Sequence, residues 1–190
     1  MTATDGKVRP VQIPGRNFFL CDNLVDSAMV TQLGIAVKCL HYIRKEKSRP
    51  DVPALAAAAD IEPSIVAADP FFQRTKAIAE KMFPGEVLGH LRAYVNSSVY
   101  GDSYASHRDS PETSQNVTVL YCANLIWQAD WGGETIFYND DEDAVLAVSP
   151  KPGRLVVARG AILHRANVPT RSCYEERLTM AYKLTSSGPE

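Results

Sequence analysis

The chain has 190 residues, 45% of them hydrophobic and 22% charged, enough for one globular domain with a real core. A net charge of −2 and an isoelectric point near 6.1 exclude a generally basic nucleic-acid binder. No apolar run approaches the ~20 residues of a membrane span, residues 1–10 lack the apolar stretch of a signal peptide, and four cysteines without a C-x-x-C pair argue for reduced thiols in a cytoplasm rather than a disulfide scaffold.

Residues 17–20 read as a short strand. Asp22 or Asn23 then offers an N-cap to a helix that carries Leu24, Val25, Ala28, Met29, Leu33, Ala36, Val37, Leu40 and Ile43 at helical spacing. The basic cluster 44–49 suits the negative end of that helix's dipole, and Pro50 and Pro53 stop it. Residues 51–70 are rich in Ala and Pro and read as short helical turns and loop. A second helix runs over 70–82, with Phe71, Phe72, Thr75, Ile78, Ala79 and Met82 in one stripe, and Pro84-Gly85 closes it.

From Glu86 the period becomes that of strands, at 87–95, 117–123, 134–138, 144–148, 154–158 and 177–184. A Gly-containing polar loop fills 96–106, and turns fall at Gly132-Gly133, 139–143 and 150–153. The chain is therefore mainly β with N-terminal helices. It forms one domain over 1–190: about 1–85 is helical support, and 86–185 is a sandwich or barrel of short strands.

The chemistry starts at His107-Arg108-Asp109. An H-x-D pair at a strand end puts an imidazole and a carboxylate on one face, side by side for one ion. Iron(II) favours mixed nitrogen and oxygen ligation, and two histidines with one carboxylate leave three positions free. The third ligand must come from another strand, and His164, just after 154–158, is the candidate. On its own the pair reads first as an exposed loop. Of the four histidines, His41, on the first helix, and His90, near a strand start, have no motif around them and read as structural. Trp127 and Trp131 read as core, and the acidic turn 139–143 lacks the spacing of an EF-hand loop.

Taken in order, His107-x-Asp109, Trp131-Gly132-Gly133-Glu134-Thr135, Pro152-Gly153-Arg154-Leu155-Val156-Val157, His164 and Arg177-x-Thr179 resemble the iron(II)- and 2-oxoglutarate-dependent dioxygenases, specifically the prolyl 4-hydroxylase-like branch, over about residues 86–185. The resemblance implies a double-stranded β-helix (jelly-roll, cupin-like) core. It implies an oxidoreductase, a hydroxylase, using Fe(II), 2-oxoglutarate and O2, with ascorbate as an activator. Conversion of 2-oxoglutarate to succinate and CO2 is coupled there to oxidation of an unactivated C–H bond.

His107, Asp109 and His164 match the metal triad. Arg177 matches the residue that meets the far carboxylate of 2-oxoglutarate, a task the planar guanidinium suits. Thr179, on the same face, adds a hydroxyl; Arg171 is a fallback anchor in a loop. Relatives often place a tyrosine on the strand after H-x-D against the same carboxylate. Here Cys122 falls at that position and Tyr121 points to the other face, so Thr118, Tyr94 or Tyr104 stand in for it.

Tyr94 and Asn96 look into the barrel, Asn96 toward substrate. Arg92, Arg108 and Arg165 are further substrate contacts, or else solvated surface. The loop 97–106, with Gly101 and Tyr104, has the composition of a lid. The substrate is a small molecule, an amino acid or a peptidyl proline, with a lean to a small molecule because no extra domain is present to read a protein partner. Nothing points to nucleic acid or membrane, and oligomeric state is not readable. Two other classes stay open: a cupin-type metal enzyme that does not use 2-oxoglutarate, and a non-catalytic jelly-roll binding module.

Overall fold

The structure, a computed structural model, describes residues 6–13, 16–54 and 56–187; residues 1–5 of the polar N-terminal stretch lie outside them. The elements in chain order are β1 (Lys7–Ile13), β2 (Arg16–Asp22), α1 (Ser27–Lys38), β3 (Ile43–Glu46), β4 (Ala56–Ile61), α2 (Pro63–Ala68), α3 (Pro70–Met82), β5 (Val87–Ser98), β6 (Val117–Cys122), β7 (Thr135–Tyr138), β8 (Ala144–Val148), β9 (Leu155–Arg159), β10 (His164–Ala166) and β11 (Arg177–Ser187). The strands form a large sheet, in the order β1-β2-β9-β6-β11-β5-β4-β3, and a small one, β10-β7-β8.

Alternation along the strands gives the large sheet two apolar faces. One takes the helices: Phe71 of α3 meets Tyr121 edge-on at 4.9 Å, and Phe72 meets Tyr182 at 5.1 Å. Truncating either phenylalanine to alanine costs about 3–5 kcal/mol. The other face meets the small sheet: Phe18, Leu20, Val156 and Ala158 pack with Phe137 and Val148, and Phe18 and Phe137 cross at 4.7 Å. A backbone bridge between His107 and His164 ties the segment after β5 to the small sheet. This is the expected double-stranded β-helix, and no helix among the described residues is long and apolar enough to cross a membrane.

The first half is not purely helical support. It supplies four strands, β1 and β2 to one side of the large sheet and β3 and β4 to the other. The Ala-rich segment expected as turns is β4, where Ala56, Ala58 and Ala59 are buried. Ala58 packs against Tyr94 and Ala181, a crowded position that only a small side chain fits. The first helix is also shorter than its apolar pattern. Asp26, not Asp22 or Asn23, caps it, accepting from Met29 N at 2.8 Å. The helix ends at Cys39, so His41 lies in a loop and Ile43 and Arg44 belong to β3. The second helix matches its expected bounds, opened by the Asp69 carboxylate on Phe71 N and by Pro70.

Candidate active site

His107 and His164 stand on facing backbone segments whose amides and carbonyls exchange both hydrogen bonds, at 2.9 and 3.0 Å. The Asp109 amide donates to Gly160 O at 2.8 Å, so the same turn that follows β9 also holds the carboxylate. The result brings the three side chains together: their ligand atoms lie within 4.8 Å of one another. His107 Nδ1 is 3.1 Å from Ala105 O, and His164 Nδ1 is 2.9 Å from Ile162 O. A carbonyl partner requires the proton on Nδ1 and leaves each Nε2 lone pair free for an ion.

Burial pushes the His164 pKa down to about 4, keeping its ring neutral, as a ligand must be. Burial opposes the charge of Asp109, yet Lys183, His164 and His107 together hold its carboxyl well below the usual range. Phe137 stacks on the His164 ring at 5.6 Å.

Along β11 the inward row reads Arg177, Thr179, Ala181, Lys183. Its cross-strand partners are Ser98, Asn96, Tyr94 and Arg92 on β5, and Cys122, Leu120 and Thr118 opposite Thr179, Ala181 and Lys183 on β6. Arg177 is 2% exposed. Its Nε donates to Gly133 O at 2.6 Å and its Nη2 to Thr135 Oγ1 at 2.9 Å. The Gly-Gly-Glu-Thr motif thus cradles this arginine, and glycine is required at 133: φ is +74°, and a Cβ there would stand 3.0 Å from Arg177 Cδ.

No carboxylate among the described residues pairs with Arg177. Nearby, Thr179 Oγ1, Asn96 Oδ1, Ser98 Oγ and the Tyr104 hydroxyl are buried without a hydrogen-bond partner. A buried cation with unpaired polar atoms around it requires an anion, and the far carboxylate of 2-oxoglutarate fits. Tyr104 is close enough to feel the Arg177 charge, and burial pushes its hydroxyl up to about 12. Cys122 does take the expected place, opposite Thr179, with its thiol pushed up to about 11 by burial, while Tyr121 faces α3.

Several sequence expectations shift. Thr118 is not beside Arg177: it pairs with Lys183 and donates to Asp109 Oδ2 at 2.7 Å. Asn96, expected to face substrate, falls beside Thr179, toward the Arg177 end of the row. Arg92 is committed to Glu46 and Asp60, at 3.1 and 2.8 Å, and lies over the Tyr94 ring at 4.0 Å. Arg108 is tied to Glu112 and Ala161 O. Arg165 follows His164 on a strand and so points to the opposite face. The loop after β5 is pinned, with Ala105 N on Ser48 Oγ and Ser106 O accepting from Arg49.

Lys183 and Ser98 escaped the sequence reading; the signal was a polar side chain recurring every second residue on otherwise apolar strands. Beside His107 and Asp109 opens a cavity of about 420 Å³ whose walls also include Glu46, Arg92, Tyr94 and Lys183.

Residues 92–182 match the family model of the 2OG-Fe(II) oxygenase superfamily. No curated protein matches the chain in a sequence comparison. Among solved structures, it is similar to a Pseudomonas putida prolyl-4-hydroxylase, with a TM-score of 0.62 and 19% identity over 92% of this chain and 95% of that one. A prolyl hydroxylase from Trichoplax adhaerens, in complex with a hypoxia inducible factor oxygen degradation domain peptide fragment, gives 0.62 and 17% over 88% and 83%. HygX from Streptomyces hygroscopicus, with nickel, 2-oxoglutarate and hygromycin B bound, gives 0.63 and 14% over 90% and 82%. The match over residues 92–182 and the His-Asp-His ligand set together support an oxidoreductase of the 2OG-Fe(II) oxygenase type, one that uses iron(II) and 2-oxoglutarate.

Proposed function

We propose that the enzyme oxidises, most simply hydroxylates, an unactivated C–H bond of a small polar molecule that enters the 420 Å³ cavity, a volume within the range of small-molecule sites. In this reading His107, Asp109 and His164 hold the iron. Arg177 holds the far carboxylate of 2-oxoglutarate, helped by Thr179, Tyr104, Ser98 and Asn96. When bound, iron and 2-oxoglutarate supply the oxidising power and yield succinate and CO2. The protein's share is placement. Tyr94 lines the cavity beside His107 and Asp109, Gly133 and Thr135 aim the guanidinium, and the pinned loop after β5 limits water.

The observation that carries this reading is the buried, anion-less Arg177 sharing one strand face with the residues around Asp109. The test is spectroscopic. Iron(II), then 2-oxoglutarate, are added to the protein without oxygen. A visible charge-transfer band that needs both, is lost in His164→Ala and weakens in Arg177→Met is the expected result. A folded, iron-loaded protein without the band overturns the assignment. Succinate release over a panel of amino acids, small polar compounds and proline peptides then identifies the substrate class. Release stimulated by the peptides alone overturns the small-molecule reading.

A further inference from the structure

Besides Arg177, Lys183 is the only charged side chain on β11; it lies opposite Arg92 of β5 and is 12% exposed. Its ammonium pairs with Asp109 Oδ2. Thr118, its cross-strand partner, donates to that same oxygen at 2.7 Å. Two donors therefore converge on one oxygen of a carboxylate that is itself 6% exposed. The other oxygen, Oδ1, takes neither bond and lies 3.5 Å from His107 Nε2. The neighbouring inward positions hold Ala181 and Ala158, and a buried ion pair is weak evidence for stability.

A carboxylate binds a divalent ion through one oxygen or through both. With two imidazoles and one oxygen, an octahedral ion keeps three positions open; chelation by both oxygens leaves two. 2-Oxoglutarate takes two, and dioxygen needs the third. Resting on the assignment of iron to His107, Asp109 and His164, we propose that Lys183 is a positioning residue: with Thr118 it occupies Asp109 Oδ2, so that the carboxylate offers Oδ1 alone and a coordination position is kept for the reaction. The cation also repels a divalent ion, so Lys183 favours an open site at the expense of tight metal binding.

Cobalt(II), added without oxygen to the full chain, is the probe, because its visible bands report coordination number. Lys183→Met is expected to bind cobalt(II) at least as tightly as the unaltered protein, with bands of changed intensity. Its cobalt form keeps two positions and still binds 2-oxoglutarate, whereas its iron form is expected to consume 2-oxoglutarate about 10–100-fold more slowly. Lys183→Arg restores the original spectrum. Thr118→Val moves the bands in the same direction, and it serves as the test should Lys183→Met fail to fold. Bands and turnover unchanged in the folded variants overturn the proposal. So does cobalt affinity that falls together with turnover, which is the mark of a merely structural role. Equal cobalt binding by the unaltered protein and His164→Ala would overturn the metal assignment itself, and this proposal with it.

Discussion

Arg154 and Arg177 are both buried arginines at the start of a strand of the large sheet, 5% and 2% exposed. Their surroundings differ in one respect. Arg154 has its own counter-ion: Nε and Nη2 form a bidentate pair with Asp22 at 2.7 and 2.8 Å. Arg177 has a carbonyl and a hydroxyl, and no carboxylate. The first is closed within the protein and ties β2 to the turn before β9. The second is left open, and its charge is complete only when a ligand brings the anion. The same residue type in the same burial is a brace in one place and, in the proposed reading, a receptor in the other.

The largest effect that tests this contrast falls on Arg177. Arg177→Met is expected to raise the Kd for 2-oxoglutarate about 10²–10³-fold, or about 3–4 kcal/mol, within the range for breaking a buried charge pair. Calorimetric melting of the ligand-free variant should move little, because an uncompensated charge leaves along with two hydrogen bonds. In the unaltered protein, 2-oxoglutarate at a hundred times its Kd should stabilise by about 2.7 kcal/mol, and in the variant that gain should disappear. A large loss of ligand-free stability in Arg177→Met would place it with Arg154.

Asp22→Asn is the converse. It should destabilise the protein by about 1–3 kcal/mol at neutral pH and leave the affinity for 2-oxoglutarate unaltered. The hydrogen bond from Arg154 is the main influence holding the Asp22 carboxyl below its ordinary value, against partial burial. Its stabilisation is therefore full above the ordinary carboxylate range and lost as pH falls through the lowered folded value. Denaturant melts from pH 7 to pH 2 should show the difference between Asp22→Asn and the unaltered protein closing only in acid.

Gly133→Ala sharpens the receptor side. A Cβ at φ +74° and 3.0 Å from Arg177 Cδ costs about 1–3 kcal/mol of stability. It should also weaken 2-oxoglutarate, by less than Arg177→Met does, in a titration of the charge-transfer band. The smallest expected change is on the outer helix. Lys76 pairs with Glu80 at 2.6 Å, and Lys76→Ala should cost about 0.3–0.5 kcal/mol without altering cosubstrate affinity.

The H-x-D pair was legible in the sequence through strand alternation, and Arg177 through the resemblance, which matches it to the start of the last strand. Their supports were less legible. Thr118 was placed against the wrong carboxylate because alternation gives the face of a residue and not its height along the barrel. Only the pairing of Thr118 with Lys183 sets that height. The strand β4 was hidden because alanine is a weak strand former, and the neighbours that make it fit, Tyr94 and Ala181, are remote in sequence. The first helix was read too long because Leu40 and Ile43 continue the helical spacing, although Ile43 is 51% exposed on a strand.

The two-bond rung between His107 and His164 also works as a ruler for permissible change. Slipping either segment by one residue turns a histidine to the opposite side of its strand. An insertion or deletion is absorbed wherever a turn lies between the rung and the next ladder, as at 139–143 between β7 and β8. Within 105–109 or 160–164, a single added residue breaks the alignment and removes a ligand. The chain is free to vary in length around its metal site and is fixed in count across it.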